Sequence, residues 1–288
     1  MHKFLRTIGF SDIRKKDLEI ILSEIIEHPD VMKVTKDSEE NEFVEMLKEF
    51  APGIGIKVCG SYDEDDRFQL DYYYPFFDAA TLTTQECIEV QKHAEKESYA
   101  GICDETNLGV TLIFYMQNVA DYLAECQLQR KTPINGARLS ALSTDGMIVL
   151  PVEKREKKNV PDYDYKDRSQ LIAKAREGDE DAIESLTLED MDTYSLISKR
   201  VLHEDILSIV TTSFMPYGVE SDQYAILGEI IDIAQCRNKL SGDEIYKMKV
   251  ECNNILFDVC INVKDLIGEP QIGRRFKGNV WMQGSVCL

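Results

Sequence analysis

The sequence predicts an α+β protein. N-terminal helices are expected to pack on an antiparallel sheet, and short C-terminal helices to precede an OB-like antiparallel barrel or curled sheet. Three observations carry this expectation. Apolar residues near the N-terminus recur at helical spacing. From residue 223 onward they alternate with polar ones over four or five consecutive segments. A charged stretch at 153–167, almost without aliphatic residues, lies between the two patterns. At roughly 150 residues per domain, a chain of 288 residues suggests two domains. The expected division is an α+β domain at 1–152, a linker at 153–167, and a second part at 168–288. In that second part helices occupy 168–212 and the OB-like β domain 223–286.

The first helix rests on Leu18, Ile21, Leu22, Ile25 and Ile26, whose spacing makes one apolar stripe; Ser11 or Asp12 is placed to cap it and Pro29 to end it. Phe43, Met46, Leu47 and Phe50 suggest a second helix over 39–50, capped by Asp37 or Ser38 and stopped by Pro52-Gly53. Residues 54–61 and 67–77 read as a hairpin with the solvated acidic tip Asp63-Glu64-Asp65-Asp66. The polar segment 86–97 reads as a helix, 98–103 and 108–117 as strands, and 118–128 as a short helix with Val119, Tyr122, Leu123 and Cys126 on one side. Thr144-Asp145-Gly146 reads as a hairpin turn between strands 137–143 and 147–152.

After the linker, Leu171, Ile172 and Ala175 mark one short helix, ended by Gly178, and residues 179–186 another. Thr187 and Asp190 resemble a capping box before a third that carries Met191, Tyr194 and Ile197. Residues 224–235 then form a long strand candidate in which Gly228 signals a bulge or bend. Tyr246, Met248, Val250 and Cys252 alternate with polar neighbours, as do Phe257, Val259, Ile261 and Val263, with Asn253-Asn254 as the turn between them. A final strand alternates Phe276, Val280 and Met282 with Arg275, Lys277, Trp281 and Gln283.

The charge balance is 33 Lys+Arg against 52 Asp+Glu, a net −19. Such a chain approaches phosphates against its own field, which argues against general nucleic-acid or anionic-membrane binding. No run of apolar residues is long enough to span a bilayer and no secretory signal is visible. The expected location is the cytoplasm, with the eight cysteines reduced and mostly buried as small hydrophobes.

Candidate chemistry is sparse. Gly53-Ile54-Gly55 lacks the rest of a dinucleotide fingerprint and precedes a strand. No C-x-x-C spacing and no calcium-loop pattern occurs, so no metal, no cofactor and no catalytic residue is assigned. His93 and Cys103, with Asp104 nearby, are the closest approach to a thiol–imidazole pair, against which stand a polar segment around His93 and a core strand around Cys103. The acidic run from Glu177 to Asp192 reads as a solvated face. The block Tyr72-Tyr73-Tyr74-Pro75-Phe76-Phe77 reads as strand packing. The chain's single tryptophan draws more attention. Arg275, Lys277, Trp281 and Gln283 are expected on one face of the last strand, in a stretch (270–288) with three basic residues and no acid. They form the candidate binding site.

Several segments together resemble a known family: MHKFLRTIGFSDI at the N-terminus, KESYAGIC at 96–103, FMPYGVESDQYAILGEI at 214–230, and FDVCINVKDLIGEPQIGRRFKGNVWMQG at 257–284. The likeness is to a functionally uncharacterised protein family, a domain of unknown function, of anaerobic Gram-positive gut bacteria. It covers essentially the whole chain and implies a cytoplasmic bacterial protein; it transfers no site. The functional expectation is therefore a non-enzymatic protein that binds another protein or itself through its C-terminal β domain. The alternatives are an enzyme with an acid/base or thiol site in the N-terminal domain, and single-strand nucleic-acid binding by the OB-like sheet, which the net charge opposes.

Overall fold

The computed structural model describes residues 1–93, 96–105, 107–128, 134–152, 171, 174–175, 178–188, 191 and 205–288. The chain is mostly β, with few helices and large sheets. A 3-10 segment, Lys3–Ile8, leads into helix α1, Lys15–Glu27. Strands β1 (Val31–Lys36), β2 (Glu42–Ala51), β3 (Ile54–Tyr62) and β4 (Phe68–Phe77) follow and form a four-stranded antiparallel sheet in sequence order. α1 lies on β2 and β3 and buries Leu18, Ile21, Leu22 and Ile25, the stripe read from its spacing. Its N-cap is Arg14 without a side-chain cap; Ser11, expected there, instead bonds to Asp243.

The second sheet has ten strands. Its members are β5 (Thr84–Lys92), β6 (Tyr99–Asp104), β7 (Thr111–Met116), β8 (Ile134–Val149), β9 (Ser213–Pro216), β10 (Gln223–Arg237), β11 (Glu244–Cys252), β12 (Ile255–Asn262), β13 (Leu266–Ile267) and β14 (Arg275–Val286). Helix α2, Val119–Gln127, joins β7 to the segment before β8 and packs on β1 and β2. β14 runs antiparallel to β8 from Arg275 opposite Val149 to Val286 opposite Ala137. At one end of this ladder β8 pairs with β5 and β14 with β7, and β6 joins those two. At the other end β8 pairs in parallel with β12 and β14 with β10, and β11 joins those two. Two closed circuits of paired strands thus share one ladder. Residues 223–286 close their circuit only with β8, which precedes the charged stretch. One continuous core serves both circuits and the four-stranded sheet. The stretch 153–167 itself, and most of the helices expected at 168–212, lie outside the described residues; 180–188 are helical and Ile206–Ile209 make one helical turn.

Three segments differ from expectation, each for a physical reason. Residues 39–50 make no helix; 42–50 are strand, and Phe43, Val44, Glu45 and Met46 are all buried because β2 is covered on both faces, and such a strand shows no period-two alternation. Residues 86–97 contribute β5, whose mostly exposed surface explains their polarity. Thr144-Asp145-Gly146 makes no hairpin turn; β8 runs straight through it. Asn279 faces Asp145 and Val280 faces Ser143, so Thr144 is the extra residue of a bulge. Gly146 is needed for contact: a Cβ there would lie 2.5 Å from Phe276 and 2.9 Å from Ile261. Gly228, likewise, is not the bulge of β10, which falls at Ile231 between the pairs Ile230–Val250 and Asp232–Lys249. A Cβ at Gly228 would meet Val250 at 2.5 Å, so it permits β11 to approach closely. The Asn253-Asn254 turn stands as read, with both residues at positive φ, 49° and 64°.

Gly146→Val is expected to destabilise the protein by about 1–3 kcal/mol, through overpacking against the fully buried Phe276. Urea unfolding followed by Trp281 fluorescence measures it; a change within about 0.5 kcal/mol would mean that Phe276 yields freely.

Candidate functional site

The residues singled out on the last strand do not make an exposed face. β14 is central in its sheet and covered on both sides. Lys277 is exposed. Trp281 is 5% exposed; its ring stacks on Phe4 at 5.1 Å and lies 4.9 Å from His2 and 5.3 Å from Tyr115, while its Nε1 donates to Asp222 at 2.7 Å. The 3-10 segment and the residues before it therefore cover the indole. Burial, and Lys3 next to it, lower the His2 pKa to about 4, which keeps this ring neutral. Gln283 is fully buried between the two sheets: its Nε2 donates to the Pro75 carbonyl at 2.9 Å and its Oε1 accepts from Gln117 at 2.8 Å.

Arg275 is a structural clamp. Its guanidinium donates to the carbonyls of Leu150 (2.7 and 3.0 Å), Leu207 (2.7 Å), Val210 (2.6 Å) and Thr211 (3.4 Å). A planar fork with five N–H groups suits several carbonyls at once, which an ammonium cannot match.

Cys103, the cysteine of the thiol alternative, is not activated. Burial pushes Cys103 up to about 12, and the charges acting on it are the acids Glu105, Glu86 and Asp104, with His93 not among them. Burial also raises Cys59, Cys252 and Cys260. Raised pKa values hold these groups as inert thiols near neutral pH. The acidic tip at 63–66 is an exposed turn organised by Asp63, which accepts from the amides of Asp65 and Arg67. Among the described residues no group of three His, Cys, Asp or Glu side chains is placed to hold a metal ion.

The polar site the structure does build lies between the four-stranded sheet and α2. Glu45 on β2 faces Lys33 on β1 and Cys59 on β3. Lys57, two residues before Cys59, sits diagonally across from Glu45 on the same face. Its Nζ donates to Glu45 Oε1 at 3.0 Å and to the Gln117 carbonyl at 2.6 Å, and lies 5.7 Å from the Phe76 ring centre. Tyr74 OH also donates to the Gln117 carbonyl, at 3.3 Å. At the rim Lys33 Nζ contacts both Asp121 carboxylate oxygens at 2.8 Å. Asn118, the N-cap of α2, is tied by its side chain to the backbone of Val286. These groups enclose a cleft of about 300 Å³, completed by Glu49, Asp78 and Ser285.

One atom in it is anomalous. The Glu45 side chain is 3% exposed, yet its Oε2 has no hydrogen-bond partner among the described residues. A buried charged acceptor left open costs about 1–3 kcal/mol or more, so such atoms are rare and mark strain, catalysis or an occupant. Sequence reading missed this pair because 39–50 looked helical. The available signal was a charge inside each of two neighbouring apolar runs: Glu45 in FVEML and Lys57 in IGIKVCG.

The geometry defines the class as a mostly β protein of two packed sheets with a buried ion pair in the lining of a cleft. Residues 5–284 match the model of a family described as a domain of unknown function, E. rectale gene description (DUF3881), and the chain belongs to that family. No curated protein and no solved structure matches it.

Arg275→Ala is expected to cost about 2–4 kcal/mol in urea unfolding, because it strips donors from several carbonyls, and Arg275→Lys to recover less than half of it. Lys277→Ala should change stability by no more than about 0.5 kcal/mol. Equal effects at the two positions would refute the clamp.

Proposed function

We propose that the protein binds a small polar ligand in the cleft between the four-stranded sheet and α2. The observation that carries this reading is the open Oε2 of the buried Glu45. The cleft volume, about 300 Å³, is at the lower end of small-molecule sites and suits a ligand of a few heavy atoms. A cytoplasmic setting belongs to the same proposal. All eight cysteines are free, which favours a reducing compartment, and no described helix is long and apolar enough to cross a membrane. Ligand-observed NMR against a library of small polar metabolites tests the reading. Binders are expected whose signal disappears in Ser285→Leu, which narrows the cleft, while far-UV circular dichroism stays native. Binders insensitive to that substitution, or none at all, would refute it.

A protein partner, or a second copy of the chain, is the second reading. Its support comes from β1 rather than from the Trp281 region. Among the described residues this strand pairs with β2 alone, and it exposes Val31, Met32 and Val34 by 45%, 45% and 57%. Self-association predicts a light-scattering mass above the 32.9 kDa of one chain, falling to one chain in Met32→Glu/Val34→Glu. A monomer at every concentration would exclude the self-assembling form.

A further inference from the structure

We propose that the occupant of the Glu45 cleft is a protonated alkylamine, an inference that rests on the cleft being a binding site. The argument is a census of donors and acceptors. Both ammonium groups of the cleft are engaged: Lys57 with Glu45 Oε1 and the Gln117 carbonyl, Lys33 with both oxygens of Asp121. Each ammonium keeps one N–H to spare, and the larger open capacity is of acceptors. Glu45 Oε2 has no partner, Asp78 has no side-chain partner among the described residues, and Glu49 accepts one backbone N–H, from Gly53 at 3.3 Å. The lining holds the carboxylates Glu45, Glu49, Asp78 and Asp121 against the ammoniums Lys33 and Lys57, an excess of two negative charges.

This arrangement discriminates among ligand classes. A carboxylate or phosphate would find both cationic side chains already paired and would face the excess negative charge. A neutral polyol can donate to Oε2 but leaves the charge excess uncompensated. A metal ion finds no cluster of three ligating side chains among the described residues. A primary ammonium answers both deficits: it donates a charge-assisted hydrogen bond to the buried oxygen and neutralises the carboxylates around it. Its alkyl part lies against Leu47, Val31 and Phe76, which supply the apolar share of the lining. The exposed carboxylate of Asp78, towards the outside, gives a second ammonium a place, so a short diamine fits better than a monoamine.

Isothermal titration of the full chain with 1,4-diaminobutane, 1-aminobutane, 1,4-butanediol and butyrate tests the proposal. The diamine is expected to bind at least roughly tenfold more tightly than the diol, with 1-aminobutane between them and butyrate not binding. Glu45→Gln should weaken the diamine about tenfold, and Asp78→Asn less, with little effect on 1-aminobutane. Should Glu45→Gln fail to fold, Glu45→Gln/Lys57→Met removes both members of the ion pair and serves in its place. Equal affinity for diol and diamine, or diamine binding indifferent to the Glu45 substitution, would overturn the proposal. Diol binding as tight as the diamine's and abolished by Ser285→Leu would sink the amine while leaving the cleft as a site; no binding by any of the four compounds overturns the amine assignment outright.

Discussion

Strand β14 runs beside β8 from Arg275 opposite Val149 to Val286 opposite Ala137, and the rest of the architecture is hung on that ladder. Each of the two strands has a second edge, and the sheet divides those edges between two circuits: β5, β6 and β7 at one end, β12, β11 and β10 at the other. The ladder joins residues more than a hundred positions apart in sequence, so its loop-closure cost comes before its reward. Its central place also explains its composition. Phe276, Val280, Met282 and Gln283 on one strand and Ala137, Leu139, Ser140, Ala141 and Leu142 on the other are buried, so both faces of the ladder must pack. The polar members pack by bonding: Ser140 donates to the Phe77 carbonyl and Gln283 to that of Pro75, which seats the four-stranded sheet on the ladder.

That seating in turn creates the cleft. Pressing the inner face of the four-stranded sheet against the end of β7 and the start of α2 removes Glu45 and Lys57 from water. The ammonium makes two of its three possible hydrogen bonds, to Glu45 Oε1 and the Gln117 carbonyl, while the second carboxylate oxygen has no partner among the described residues. A buried pair of this kind is a weak source of stability compared with apolar side chains of the same volume. Its presence in a protein interior otherwise filled by Phe43, Met46, Val58 and Phe76 is the feature on which the proposed binding reading rests.

How far the sequence discloses this arrangement depends on how each strand is covered. β3, β4, β6, β7, β10, β11, β12 and β14 are legible because turn residues bound them: the Asp63–Asp66 tip, the Asn253-Asn254 pair and the glycines around 268–273. β2 is not, since burial on both faces erases its alternation and leaves Phe43, Met46, Leu47 and Phe50 at a deceptive helical spacing. The Trp281 face misleads for a related reason. Alternation correctly separates Trp281 from Val280 and Met282, but it cannot say that His2 and Phe4 return across the molecule to cover the indole. The Glu45–Lys57 site needs both facts at once, the strand identity of β2 and the diagonal register across β3, and neither is local information.

The guanidinium of Arg275 has a topological consequence. It holds the carbonyl of Leu150, where the chain leaves β8, beside that of Leu207, where described chain leads back towards β9. Departure and return are thus fixed at one point by a residue belonging to neither. Whatever the length of chain between those two leucines, its two ends meet the sheets at one fixed place.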